Sequence, residues 1–355
     1  GTDETSGRLY EALIAHVGLL VLRWGPRPAE HVAFGAEFPA TRQLGFASEE
    51  ALLPTVASSF RAYRLLHEYF ALPTRFNFVE LQGLGPGISR CSSDRLELIL
   101  PLKHHEPALE GKLELSRLQL FATPAVNLLS KRCDAVQVDR SAQEFAVIPD
   151  RGLPLDYEVH SVTRVAAHVS ADDAQQEILP LCAVRSRLER AHSGPHYQLE
   201  LRSGATAQPA LSGRSSTGYT GSAVFLRLID DPHTERARVA TRRLSIDALC
   251  TNRDLPLLLS RDRNRYFTIG IGAPIDAVRC LAGPSAPRSQ LIDGDSAWRW
   301  ISHMSQSYLN LNDETGGGEA LRELLGLYAA FADPQLRREI EGIRSVRTKP
   351  VVGTF

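Results

Sequence analysis

Two different spacings of apolar residues meet between residues 58 and 84. In the first half, apolar residues recur every three or four positions, at Phe60, Tyr63, Leu66 and Phe70. This spacing predicts a helix with one apolar face. Pro73 ends the helix, because proline has no N–H to donate and disfavours helical geometry in the residue before it. Beyond it, Phe76, Phe78 and Glu80 occupy every second position, which predicts a strand.

A second helical pattern lies near the start of the chain. Its apolar positions are Leu9, Tyr10, Leu13, Ile14, Val17, Leu20 and Val21. The spacing predicts a helix of roughly 15–18 residues that ends before Pro26. Ser48 is a favourable N-cap followed by two glutamates, so a further helix is predicted to begin there and to run towards residue 72.

Strand patterns dominate two long regions, residues 75–168 and 176–280. The predicted strands of the first region are RLELILPL, KLELSRLQLFA, VQVDR, EFAVI and DYEVHSVTRVAAHV. Those of the second region are HYQLELRS, AVFLRLID, RLSIDALC, YFTIGIG and AVRCLAG. Between strands, PAVNLLSK predicts one or two helical turns because it starts with a cap followed by proline. The Gly- and Ser-rich stretch 203–222 predicts a long exposed loop.

Helical spacing returns in the last part of the chain. A first helix is predicted along Trp298, Ile301, Tyr308 and Leu309, before three glycines at 316–318 break it. A second carries Leu321, Leu324, Leu325, Leu327, Tyr328 and Phe331. Asp333 as N-cap and Pro334 as first helical residue open a third helix, which is predicted to end near Gly342.

These elements predict an α+β fold with two β-rich, sandwich-like regions flanked by helices at both ends. Short strands separated by turn residues favour this class over a parallel α/β sheet. We expect four parts: a helical region at 1–72, a β-rich domain at 73–168, a second β-rich domain at 169–290 and a helical region at 291–355. The boundary between the two β-rich domains is expected between Asp150 and Gln175.

Composition narrows the function classes. The 40 basic and 41 acidic residues leave a net charge of -1, which argues against a chain built to hold nucleic acid or an anionic membrane. Arginine accounts for 36 of the basic residues; it suits interfaces, although a GC-rich genome gives the same bias. The five cysteines are widely spaced and odd in number, which predicts buried thiols in a reducing compartment. Without a visible signal peptide or an apolar run of about 18 residues, a cytoplasmic location is expected.

Candidate chemical sites are weak. Gly83, Gly85 and Gly87 resemble a nucleotide loop, but Pro86 removes an N–H, so a hairpin or bulge is predicted. The adjacent His104 and His105 are predicted to lie in an exposed loop. Turn positions are expected for the aspartates at Asp134, Asp139, Asp150, Asp156, Asp230 and Asp231, and for the segment 251–254. We therefore predict no catalytic, cofactor-binding or metal-binding residue.

A recognition surface is the better candidate. Trp298, Arg299, Trp300 and Tyr308 combine the residue types that dominate interface hot spots. Trp298 and Trp300 are two apart, so on a helix they point in nearly opposite directions, and packing in the core is an equal alternative. A basic group that includes Arg338, Arg344 and Arg347 is suited to an acidic partner, or else forms a solvated face.

The chain resembles the TssF family, the baseplate wedge proteins of bacterial type VI secretion systems. The resemblance rests on four blocks in register along nearly the whole chain. They are the segment 58–84; VNLLSKR at 126–132 with PLDYEV at 154–159; CTNRDLP at 250–256 with RCLAGP at 279–284; and EGIRSV at 341–346 with KPVV at 349–352. Because family members are longer at both ends, we expect this chain to be an internal part.

The resemblance implies a non-enzymatic scaffold without a cofactor. It implies a cytoplasmic wedge, docked at the inner-membrane secretion complex, in which two copies of TssF join one TssG. It further implies contacts with TssK, with TssE and with the VgrG hub, and support of tube and sheath assembly. No nucleic-acid binding and no membrane insertion are expected.

Two alternatives remain open at this point. The β-rich middle and the scattered aspartates also suit a carbohydrate-active β-sandwich enzyme or binding module. That hypothesis requires a cleft with two carboxylates roughly 5–10 Å apart. A structural protein of a phage tail outside secretion is the other alternative.

Overall fold

The computed structural model describes residues 4–25, 30–34, 40–54, 61–114, 118–139, 141–168, 175–181, 195–204, 217–229, 242–259, 267, 270, 272, 275–288, 298, 318–329 and 334–346. They have an α+β fold, as predicted, with a curled β-sheet and helices towards both ends of the chain. The chain divides into two compact units, unit 1 (1–126 with 307–355) and unit 2 (127–306). The four-part division stays a prediction.

Unit 1 contains the helices and two small sheets. Its helices are α1 (Glu4–Glu11), which continues as a π-helix over Ala12–His16, α2 (Arg61–Ala71), α3 (Gly85–Arg90), α4 (Glu319–Ala329) and α5 (Pro334–Glu341). Its strands are β1 (Leu20–Trp24), β2 (Glu30–Phe34), β3 (Thr41–Gln43), β4 (Val79–Leu81) and β5 (Glu97–Ile99). Antiparallel pairing gives one sheet of order β2–β1–β5 and another of β3 with β4. Single 3-10 turns cover Ser48–Glu50, Pro73–Asn77 and Pro107–Leu109.

Helix α2 packs against the helices near the C-terminus. The Phe70 ring stacks on the Tyr328 ring of α4, with 5.5 Å between centroids and 15° between planes. Leu336 and Ile340 are the buried positions of α5, four residues apart on one face. The predicted helices over 58–72, 321–331 and 334–342 are thus confirmed by α2, α4 and α5.

A buried ionic cluster ties α2 to the chain before and after it. The Glu68 side chain is 1% exposed and accepts hydrogen bonds from Leu52 N and Leu53 N at 2.9 and 3.1 Å. The other oxygen, Glu68 Oε2, lies 3.2 Å from Arg64 Nη1 and 2.9 Å from Arg75 Nε. The arginines also donate to backbone oxygens, Arg64 to Phe46 O and Arg75 to Glu50 O. The charged side of α2 therefore organises the preceding segment instead of facing solvent.

Unit 2 is built on one eight-stranded sheet. Its strands are β6 (Leu129–Arg132), β7 (Val136–Gln137), β8 (Phe145–Val147), β9 (Glu158–His168), β10 (Gln175–Pro180), β11 (His196–Ser203), β12 (Ser222–Ile229) and β13 (Arg243–Thr251). The order is β6–β13–β9–β10–β11–β12–β8, and β7 also pairs with β13. All neighbours are antiparallel except β10 and β11. Strands from both predicted β-rich regions join this sheet, and β9 and β10 pair across the expected boundary.

The core of unit 2 lies inside the curl of this sheet. Alternate residues of β13 are fully buried, with Leu244, Ile246 and Cys250 at 0% exposure. Val165 of β9 and Leu226 of β12 are equally buried and belong to the same cluster. Cys133 and Cys250 are free thiols in this core, as the cysteine spacing predicts, whereas the free thiol of Cys280 is exposed and the prediction of burial is wrong there.

Several local predictions are wrong. The N-terminal helix ends at His16, because Leu20, Leu22 and Trp24 are buried at the two-residue spacing of β1. PAVNLLSK forms no helical turn: residues 124–128 lie outside helices and strands, and Leu129–Arg132 pairs with β13 as β6. Tertiary pairing overrides the local cap signal here.

Five further predictions also fail locally. The glycine triplet begins α3 rather than a hairpin, with Pro86 in the first turn, where no N–H is needed. A 3-10 turn replaces the start of the strand after Pro73, and another replaces the helix expected at Ser48. The described parts of KLELSRLQLFA and AVRCLAG lie outside strands. Most of YFTIGIG, of the loop at 203–222 and of the helix from Trp298 to Leu309 lies outside the described residues.

Candidate interaction surfaces and a pocket at the end of the sheet

The predicted interface residues do not gather in one unit. Trp298 lies in unit 2 and is 70% exposed. Arg338 on α5 and Arg344 after it are exposed in unit 1. The other predicted members, Arg299, Trp300, Tyr308 and Arg347, lie outside the described residues. The interface assignment therefore stays a prediction, with three exposed members.

A stronger surface candidate is the exposed apolar segment, residues 118–126 of unit 1. Leu118, Leu120 and Val126 are 51%, 78% and 43% exposed, and Phe121 is fully exposed. Isolated exposed apolar side chains are ordinary, but contiguous ones mark interaction sites. Four such side chains within nine residues therefore favour a contact with another molecule.

The backbone at the centre of this segment is unusual. Phe121 has φ +57°, in the left-handed region that bulky residues rarely adopt. Such a conformation costs on the order of 1–3 kcal/mol and is found mostly at functional sites. Among the described residues, the fully exposed ring of Phe121 gains no buried contact to offset that cost.

Three segments that carry the family resemblance meet in unit 2. Lys131, from 126–132, places its ammonium 3.9 Å from the ring centroid of Tyr157, in 154–159. Asn252, from 250–256, donates from Nδ2 to Asp156 O at 3.3 Å. Segments distant in sequence thus form one contiguous end of the curled sheet.

Glu158 is the acceptor at the centre of this end. Its Oε1 accepts from Ser222 N at 2.7 Å and from Ser222 Oγ, and its Oε2 accepts from Tyr219 Oη at 2.8 Å. Burial, followed by the nearby Glu158 charge, raises the pKa of Tyr219. Glu158 therefore fixes the start of β12 to the start of β9.

Arg253 joins the same end through a strained turn. Its φ is +54°, and its Nη2 donates to Tyr219 O and Thr220 O at 3.3 and 3.4 Å. The neighbouring Asp254 is buried and accepts from Thr217 Oγ1 at 2.6 Å. Thr251 Oγ1 accepts from Arg253 N at 3.3 Å, so the predicted side-chain-stabilised turn over 251–254 is confirmed.

A small pocket opens between these segments. Ile148, Pro154 and Tyr157 contribute apolar lining, and Asp150 and Glu158 contribute carboxylates. Asp150 accepts from Lys131 Nζ at 3.1 Å, and that hydrogen bond holds the pKa of Asp150 below its ordinary value. Both carboxylates are thus engaged in structural hydrogen bonds, which suits a binding contact better than proton transfer.

Other candidate sites have structural explanations. Asp134 accepts from Arg151 N at 2.8 Å, and Asp139 accepts from Ser141 N at 3.0 Å, as expected for aspartates in turns. The rings of His16 and His104 meet edge to face at 5.2 Å. Among the residues that the structure describes, no three His, Cys, Asp or Glu side chains could hold a metal ion together. None of the described helices is long and apolar enough to cross a bilayer.

Comparison with known proteins identifies the family. The model of the family "Type VI secretion system, TssF" matches residues 1–355. The chain belongs to the TssF family. It is 41% identical over 355 residues to the type VI secretion system component TssF1 of Pseudomonas aeruginosa strain PAO1. That match covers 99% of this chain and 56% of the relative, so the chain spans a little over half of the relative's length.

A solved structure shares the fold of this TssF-family chain. It is a cryo-electron microscopy structure of the TssK-TssF-TssG baseplate subcomplex of the type VI secretion system. The TM-score is 0.61 at 22% identity, and the match covers 97% of this chain and 59% of the other chain. The similarity supports the α+β fold of both units.

Sequence reasoning about this TssF-family chain missed the exposed apolar segment. The pattern in KLELSRLQLFA predicts a half-buried strand, and the apolar side chains of such a strand are expected to face the core and not solvent. The four apolar residues at 118–126 were visible, but neither their exposure nor the left-handed φ of Phe121 can be read from spacing. Glu158 and Arg253 belong to two separate family blocks, and their proximity at one end of the sheet likewise cannot be read from the sequence.

Proposed function

We propose that this chain is part of a structural, non-enzymatic component of a type VI secretion baseplate. The match of the TssF family model to all 355 residues carries this proposal. The fold supports it, because a chain of a baseplate subcomplex has the same architecture. The role is mechanical: the protein holds its neighbours in a wedge and supports assembly of the tube and sheath.

The partners proposed first are TssK and TssG, which accompany TssF in the related structure. We extend the proposal to a second copy of the chain, to TssE and to the VgrG hub, as the family resemblance implies. The assembly is proposed to lie on the cytoplasmic side, docked at the inner-membrane secretion complex.

The exposed apolar segment is the proposed contact for TssG. Its side chains are already outside the core of unit 1, so covering them removes apolar area from water without unfolding this chain. Each square ångström of apolar surface covered contributes about 25 cal/mol. Phe121 is suited to be the central anchor, because aromatic residues dominate interface hot spots.

Co-purification of the full-length protein with TssG from the same organism tests the proposal. The expected product is a stable complex whose mass corresponds to two copies of the full-length protein with one TssG. A full-length protein that remains monomeric beside folded TssG would overturn the proposed assembly.

A variant pair locates the contact. Leu120→Ser with Phe121→Ser is expected to weaken the complex, whereas Leu258→Ser, at a 65% exposed leucine of unit 2, serves as the matched control. Equal complex formation by both variants would remove the segment from the proposal. The carbohydrate hypothesis is not favoured by any observation, since Asp150 and Glu158 are both held in structural hydrogen bonds.

A further inference from the structure

The two ends of the curled sheet meet at a seam. The seam is the line between residues 131–134, where β6 ends, and residues 148–151, which follow β8. Strands β6 and β8 are the end members of the strand order. Asp134 N donates to Ile148 O at 2.9 Å, so the end strands approach each other as the sheet curls.

Few backbone hydrogen bonds cross the seam. Within the described parts of 129–151, the bond from Asp134 N to Ile148 O is the one backbone bond across it. By contrast, β13 pairs with β9 along its whole length, from Arg243 to Thr251. The remaining connections use side chains: Arg151 N donates to Asp134 Oδ2 at 2.8 Å, and Lys131 pairs with Asp150.

The Lys131–Asp150 pair is placed to control the seam. Lys131 projects from β6, and Asp150 lies two residues beyond Ile148 on the other side. Their side chains are 21% and 31% exposed, so the pair is only partly screened by water. Asp150 and Tyr157, which flank the ammonium of Lys131, also line the pocket. Separation of the pair would therefore widen the pocket at the end of the sheet.

We propose that the Lys131–Asp150 pair is a latch, and that the seam opens locally while the rest of the sheet stays folded. Local opening is easiest where few backbone bonds and few buried contacts must break. The seam meets the first condition, whereas β9 and β13 do not. Cys133 and Val147 beside it are buried in the core, so the proposed opening is confined to the half-exposed rim of the seam, at Lys131, Asp134 and residues 148–151. This inference concerns unit 2 itself and stands independently of the proposed baseplate role.

Amide hydrogen exchange of the wild-type chain, resolved to single amides by NMR, tests the latch. Asp134 N, whose acceptor Ile148 O lies across the seam, is expected to exchange with little dependence on low urea concentration. Amides of β9 and β13 are expected to exchange with strong dependence, because they require global opening of unit 2. The same urea dependence at Asp134 N and in these amides would overturn the proposal.

The variant Asp150→Asn removes the latch with little other change. Asp150 Oδ1 accepts from Gly152 N and Leu153 N, and an asparagine oxygen retains both bonds. Its amide nitrogen cannot accept from Lys131. Lys131→Met is the complementary variant, since it keeps an apolar stem against Tyr157. In both variants Asp134 N is expected to exchange about fivefold faster, the upper range for a partly exposed ion pair.

The control is Asp247→Asn. Asp247 pairs with Arg164 at 3.8 Å, with side chains 39% and 43% exposed, and β13 pairs with β9 on both sides of the register shift that follows Asp247. It is expected to leave exchange at the seam unchanged. Uniform acceleration across all strands in Asp150→Asn, or no acceleration at the seam, would show that the pair is not a latch.

Discussion

Tyr69 on α2 donates a hydrogen bond from its Oη to Oε2 of Glu339 on α5, at 2.7 Å. These residues are 270 positions apart in the chain. The neighbouring Phe70 stacks on Tyr328 of α4, so polar and aromatic contacts act side by side. Unit 1 is therefore closed by contacts between helices from its two separate stretches of chain.

Truncation of the aromatic stack should destabilise unit 1 strongly. Phe70 and Tyr328 are 8% and 6% exposed, and Phe70→Ala leaves a cavity beside the tyrosine ring. The expected loss in the free energy of unfolding is about 3–5 kcal/mol. Tyr69→Phe removes only a partly exposed hydrogen bond and should cost about 1 kcal/mol. Calorimetric unfolding of both variants checks the difference, and equal losses would contradict it.

Elements with a complete local pattern were predictable from sequence. The sequence signals for the start and the end of helix α5 lie within ten residues of each other. Asp333-Pro334 marks the start and Gly342 marks the end. The strands β9, β11, β12 and β13 alternate strongly enough to be located by spacing alone. The same holds for α2, whose apolar face and terminating proline lie side by side.

Features that depend on distant partners were not predictable. Leu129–Arg132 is a strand because it pairs with β13, and the sequence PAVNLLSK does not predict that pairing. Glu68 lies opposite the apolar face of α2, and its burial against the segment at 46–53 cannot be read from the helical spacing. The contact of Lys131 with Tyr157 and Asp150 requires the curl of the whole sheet. Site geometry therefore followed from tertiary pairing, while element type followed from local spacing.

Removal of the Glu68 charge should destabilise unit 1 strongly. Glu68→Ala leaves Arg64 and Arg75 buried without a counter-charge and leaves Leu52 N and Leu53 N without their acceptor. Breaking a buried pair in this way costs about 3–5 kcal/mol. Thermal unfolding measured by circular dichroism would give the loss.

An exposed ion pair supplies the comparison for Glu68. Arg42 pairs with Glu80 at 2.6 Å, with side chains 41% and 43% exposed. Glu80→Gln should change the free energy of unfolding by no more than about 1 kcal/mol, because exposed pairs are screened by water and Arg42 keeps its second pair with Glu50 at 2.8 Å. If the two variants lose similar stability, the buried cluster is not the organising contact of this region.

Alanine substitutions at two glycines with left-handed backbones allow the cost of backbone strain to be compared with the cost of a steric clash. Gly218 and Gly221 have φ +75° and +66°. A Cβ at Gly218 meets open space, so Gly218→Ala should cost about 1–2 kcal/mol for the backbone alone. A Cβ at Gly221 would lie 3.1 Å from the Arg253 guanidinium and 3.2 Å from Glu158 Oε2. Gly221→Ala should therefore cost more, by about 1–3 kcal/mol of overpacking, in urea denaturation of each variant. Equal losses would show that Arg253 and Glu158 move aside freely.

Alkaline pH should destabilise unit 1 through Tyr328, which is buried, and Tyr69, which is half-buried. Burial raises the pKa of Tyr328 to about 12, and burial together with the Glu339 hydrogen bond raises the pKa of Tyr69. The folded state then holds these protons more tightly than the unfolded state, whose tyrosines titrate near pH 10. Their stabilising contribution is complete below pH 10 and is lost as the pH rises towards 12. Thermal midpoints between pH 9 and 12 should fall less steeply in Tyr69→Phe; an unchanged slope would contradict this assignment.

Phe121→Gly should weaken the proposed contact of the exposed apolar segment with TssG without destabilising the fold. Glycine adopts φ +57° without strain, and the fully exposed ring leaves no cavity. The variant should therefore unfold no earlier than the wild type. Phe121→Ala also lacks the ring but keeps the strained backbone, so it should be less stable than the glycine variant by about 1 kcal/mol.

Both variants should weaken binding of the full-length protein to TssG at least tenfold, since anchor truncations often cost more than about 1.4 kcal/mol. Titration calorimetry with TssG measures this loss, and wild-type affinity in both variants would show that the exposed ring serves no contact with TssG.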